Sequence, residues 1–141
     1  MFQNILVGYD GSKGGKAALA RAVAAAKNYN AKLTALWVRQ PLPQHADLPG
    51  EAKAEAGAAA DYFEERKREV EKVAKENGIE IACESRSGHA AKVVVNFAKE
   101  HGCDLIVIGH SDHSELWGRL LGDTADRISD HAHCSVLIVK P

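Results

Sequence analysis

Between Asp104 and Thr124 the chain reads DLIVIGHSDHSELWGRLLGDT. This stretch holds both the residue types that attract an anion and those that repel one. Gly109 closes the apolar run Leu105 to Ile108, and Gly122 stands directly before a helical pattern. A residue without Cβ lets the backbone come close to a ligand, and the free N–H groups at a helix start attract negative charge. Four carboxylates oppose that chemistry: Asp112, Glu115, Asp123 and Asp126. A further acidic residue, Asp10, ends the apolar run at the start of the chain and is followed by Gly11 and Ser12. It can accept hydrogen bonds from a base amine or a sugar hydroxyl. Asp or Ser at this place can equally cap the next helix.

Other chemistries find less support. His110, Asp112 and His113 lack a second pair of ligands at a known metal spacing. His133 and Cys134, near His131, lie at a strand entrance, where neighbouring side chains point apart. Ser12, Ser111 and Ser114 have no nucleophile elbow and no evident base. No GxxxxGK[ST] loop is present, and no GxGxxG follows the first strand, which excludes a Walker-type site and disfavours a dinucleotide fold. Cys83, Cys103 and Cys134 are odd in number, far apart, and each in or beside an apolar pattern. They read as buried thiols in a reducing, cytoplasmic setting.

The elements that must position these residues alternate along the chain. Strands are expected at Asn4–Tyr9, Lys32–Val38, Glu80–Ser85, Asp104–Gly109 and Ser135–Val139. Helices are expected at Lys13–Asn28, Glu51–Asn77, His89–His101 and Thr124–His131. A loop rich in proline, QPLPQHADLPG, separates the second strand from the long helix. The charge run of that helix reads as a solvated face, with Ala59, Tyr62 or Phe63, Arg66, Val70, Val73 and Ala74 inward. Such alternation predicts an α/β fold, a doubly wound five-stranded parallel sheet with helices on both faces, in one domain over residues 1–141. Ligands of such sheets bind beyond the carboxyl ends of strands, where the winding reverses. That points to Asp10-Gly11-Ser12 and to Gly109 through Asp123. A formal net charge of −1 gives no general attraction to nucleic acid or an anionic membrane. No apolar run approaches the roughly 20 residues a membrane helix needs, and MFQNILVGYD reads straight into a strand rather than a signal peptide.

At these residues the chain resembles the universal stress protein family over nearly its whole length. The resemblance lies in NILVGYDGS, KLTALWV, GHAAKVVVNFAKEHGCDLIVIG and GDTADRISDHAHCSVLIV. It implies a five-stranded Rossmann-like fold, a role in stress survival and regulation, and a dimer. One branch of the family binds ATP through a glycine, two residues, a second glycine, nine residues, then glycine with Ser or Thr. Gly109 and Gly122 match the first and third glycines; Asp112 stands at the second, and Asp123, followed by Thr124, stands at the Ser or Thr. Asp10 matches the family's acidic residue after the first strand, and Val38 the apolar residue against adenine. The nucleotide site so implied comprises Asp10, Gly11, Val38, Ile108, Gly109, Asp112, Gly122, Asp123 and Thr124. Its base and ribose half is kept and its phosphate half is altered. At about 4 Å two like charges repel by roughly 1 to 4 kcal/mol, so a triphosphate beside Asp123 is disfavoured. As a helix N-cap, Asp123 would itself fill the anion position.

Two functions follow from this. The first is a non-enzymatic stress-response module that works by contact, a homodimer paired along the apolar edge strand Ser135–Val139. The second is an adenine-nucleotide switch that takes AMP, or ATP with a metal bridging Asp112 or Asp123 to phosphate. A receiver domain would need a phosphorylatable Asp where the third strand has Ser85.

Overall fold

A computed structural model describes residues 1–40, 49–110 and 123–141. The elements are β1 (Asn4–Gly8), α1 (Lys13–Tyr29), β2 (Lys32–Arg39), α2 (Pro49–Asn77), β3 (Ala82–Ser87), α3 (Ala90–Glu100), β4 (Leu105–Gly109), α4 (Asp123–His131) and β5 (Ser135–Val139). The strands form one parallel sheet in the order β3-β2-β1-β4-β5. The chain winds outward from β1 to β3, then returns to the other side of β1. The reversal therefore falls between β1 and β4, as the alternating pattern predicts.

Successive residues of a strand point to opposite faces, which divides the core in two. Ile5 and Val7 of β1 and Leu105 and Val107 of β4 face α1 and α2, packing on Ala18, Leu19, Ala22 and Val70. Leu6, Ile106 and Ile108 face α3 and α4, packing on Val94, Phe97, Ala125 and Ile128. The runs Ile5–Val7 of β1 and Leu105–Ile108 of β4 are apolar and buried because both of their faces are covered. β5 lies at the edge, with Val139 buried and Leu137 42% exposed. Among the described residues no helix is long and apolar enough to cross a membrane.

The expected elements recur with bounds moved by up to two residues: α2 starts at Pro49, so Pro49 and Gly50 of the expected proline-rich loop are helical, while 41–48 of that loop lie outside the described residues. β3 runs from Ala82 to Ser87, two residues later than the pattern placed it. The reason lies at the end of α2, where the Ile79 N–H still donates to the Ala74 carbonyl. The chain is closing a helix there. Ladder pairing with β2 starts only at Ala82 opposite Thr34.

At the amino end of the sheet a single carboxylate joins distant parts of the chain. Asp104 accepts from the Gln3 N–H at 2.9 Å and from the Asn4 N–H at 3.1 Å, across 101 and 100 residues. The Asn4 side chain donates to the His101 carbonyl at 2.8 Å.

Candidate functional site

The carboxyl ends of β1, β2 and β4 bring four of the expected residues within two residues of one level. β1 and β2 are in register through Gly8 and Leu36, and Asp10 and Val38 stand two residues beyond that pair. β1 and β4 are in register through Val7 and Val107, which places Gly109 level with Tyr9. Ile108 is buried, 6% exposed, and Val38 packs on the same α3 and α4 face.

The first turn of α1 fits between Asp10 and Gly109. The side chain of Ser12 accepts from the Gly15 N–H at 3.0 Å, so Ser12 is the N-cap. Asp10 Oδ1 accepts from the Ser12 N–H at 2.9 Å, which closes a local turn and leaves Oδ2 outside that bond. Gly11 takes φ +81°, the left-handed region that glycine adopts without penalty. A Cβ on Gly15 would lie 2.7 Å from Asp10 Oδ1, and one on Gly14 would lie 2.6 Å from the His110 carbonyl oxygen. A Cβ on Gly109 would overlap the Gly14 backbone. Close helix packing is thus a sufficient reason for Gly109, whatever else approaches it. Sequence reasoning missed this contact. The signal was present as two glycines, poor helix formers, opening an Ala-rich helix.

α2 holds the same turn from the other side. The Tyr62 hydroxyl donates to the Asp10 carbonyl. The Arg66 guanidinium lies 4.4 Å over the Tyr62 ring, and it is the group a Cβ on Gly11 would strike. Arg66 Nε sits 3.2 Å from Glu69 Oε1, an ion pair at an angle that falls short of a hydrogen bond. Glu69 Oε1 accepts from the Tyr9 hydroxyl at 2.6 Å. Burial, with the Glu69 carboxylate beside it, pushes the Tyr9 phenol far above its ordinary range. Glu69 therefore leaves the solvated face that the charge pattern assigned it.

Thr124 is exposed at the start of α4 and lines a cleft of about 630 Å³ between α3 and α4. Asp112 and Gly122 lie outside the described residues, as does the side chain of Asp123, whose backbone opens α4. Of the metal candidates, Asp112 and His113 also lie outside them. Among the described residues no group of three or more His, Cys, Asp or Glu is arranged to hold an ion. Cys83, Cys103 and Cys134 are free thiols.

Comparison with known proteins gives a consistent result. The sequence model of the Universal stress protein family matches residues 1–140. A universal stress protein of Methanocaldococcus jannaschii is 33% identical over 142 residues, covering 99% of this chain and 83% of its own. The solved structure of UspA from Lactobacillus plantarum superposes with a TM-score of 0.77 at 29% identity, over 98% of this chain and 97% of that one. A universal stress protein solved in complex with cAMP superposes with a TM-score of 0.72 at 28% identity, over 98% and 97%.

Proposed function

The chain belongs to the universal stress protein family, and on that premise we propose that it is a non-enzymatic, cytoplasmic stress-response regulator whose β1–β4 crevice takes an adenine nucleotide of low charge. The observation that supports this most is the convergence of Asp10, Val38 and Gly109 at the carboxyl ends of neighbouring strands where the winding reverses. The Asp10 carboxylate is the acceptor for adenine or ribose, and Val38 is the apolar contact. Asp112 and Asp123 occupy two of the positions at which the ATP-binding pattern has glycine and a hydroxyl. A ligand with one phosphate meets less repulsion there than a triphosphate does. The cAMP complex of a relative supports that choice.

Calorimetric titration with ATP, ADP, AMP and cAMP, with and without Mg²⁺, tests this. AMP or cAMP is expected to bind more tightly than metal-free ATP. Tight ATP binding without metal overturns the charge argument. Asp112→Gly combined with Asp123→Ser is expected to raise ATP affinity by about tenfold or more, on the scale of one or two charge repulsions.

The proposal includes a homodimer paired along β5. The strand is at the sheet edge and presents Leu137 to solvent. An unpaired apolar edge invites association, and a two-fold axis satisfies it in closed form. Light scattering at micromolar concentration is expected to give twice the chain mass, and Leu137→Glu the mass of one chain. A monomeric wild type removes this part of the proposal.

A further inference from the structure

The cleft between α3 and α4 combines an apolar floor with a cationic rim. Ala91 and Val95 form the floor and belong to the same core cluster as Val38. His89 caps α3 and Lys92 lies in its first turn, and Arg127 and His131 stand four apart on one face of α4. Among the described residues no Asp or Glu lines the cleft. Among the described residues neither Lys92 nor Arg127 takes part in an ion pair. Lys92 and Arg127 line the same cleft, and ammonium and guanidinium groups give charge-assisted hydrogen bonds to phosphate oxygens. At about 630 Å³ the space suits a ligand of nucleoside monophosphate size.

We propose that Lys92 and Arg127 in the α3–α4 cleft receive the phosphate of the adenine nucleotide. This rests on the nucleotide reading above. Ala91 and Val95 pack on the same core cluster as Val38, so the cleft and the apolar contact proposed for the base share the α3 and α4 face of the sheet. His89 and His131 offer ring N–H donors beside the two cations.

NMR titration of the full chain with AMP and, separately, with adenosine tests the inference. AMP is expected to shift the amides of residues 89–96 and 124–131, and adenosine to leave them in place. Lys92→Glu and Arg127→Glu are each expected to weaken AMP binding by about tenfold or more while leaving adenosine binding unchanged. Lys92→Arg is expected to retain AMP. Retained adenosine binding shows that the variants are folded. AMP affinity unchanged in both charge reversals overturns the cleft and leaves the nucleotide reading standing. Binding of neither AMP nor adenosine to the wild type overturns both.

Discussion

The residues around Asp10 show how a turn at a ligand crevice is held in shape. The backbone of Asp10 is fixed by Tyr62, and the neighbouring Tyr9 by Glu69, so α2 grips the end of β1 twice. Tyr9 is 4% exposed, and its hydroxyl donates to a carboxylate that also faces Arg66. Tyr9→Phe removes that bond and is expected to cost about 1–3 kcal/mol of unfolding free energy, measured by urea denaturation. The raised phenol has a consequence for alkaline pH. The folded state keeps a proton that the unfolded state releases near pH 10. The contribution of Tyr9 is therefore complete below about pH 10 and is lost as pH rises above it. Denaturation from pH 9 to 11 is expected to show a steeper decline in the wild type than in Tyr9→Phe. Gly109→Ala drives a methyl into the Gly14 backbone. A loss of about 1–3 kcal/mol is expected with or without nucleotide, by the same measurement. Asp10 and Gly109 were legible as residues just past or at the carboxyl ends of β1 and β4 from their place after apolar runs. Tyr62 and Glu69 were not read as partners of Asp10 and Tyr9, because nothing local in a charged helix says which side chains turn toward a neighbouring loop.

At the level of elements, strand and helix alternation read well because both central strands are apolar on both faces, a pattern helices of this length do not share. β3 read less well. Ile79 and Ile81 continue the alternation of EIACES, yet they pack against the core before the ladder begins. Apolar burial and backbone pairing start at different residues there, and a hydropathy pattern reports only the first. Of the three cysteines expected to be buried, only Cys103 is; Cys83 and Cys134 are half-buried. Cys103, just ahead of β4, is 2% exposed, and burial first, then Cys134 and Asp104, push its thiol up to about 11. The thiolate is the reactive form. At pH 8 Cys103 is expected to react with a maleimide at least about a hundredfold more slowly than in urea-unfolded chain, followed by mass spectrometry.

For the whole molecule, the five-stranded arrangement was legible from the order of elements, since few topologies satisfy strand–helix repetition. The α3–α4 cleft was not. His89 and Arg127 are 38 positions apart in sequence, and only the sheet order sets their helices side by side. A larger separation, 101 and 100 positions, governs the Asp104 clamp on Gln3 and Asn4. Asp104→Ala leaves two backbone donors without their carboxylate and is expected to lower unfolding free energy by about 1–3 kcal/mol. That clamp also constrains biosynthesis. β1 leaves the ribosome early, but its central neighbour β4 is translated about a hundred residues later. Until then the strand has one flank without a partner, and pairing so remote in sequence is slow. The emerging polypeptide therefore spends most of its translation with an apolar edge open, the stage at which chaperones engage and at which a pause in elongation is most damaging.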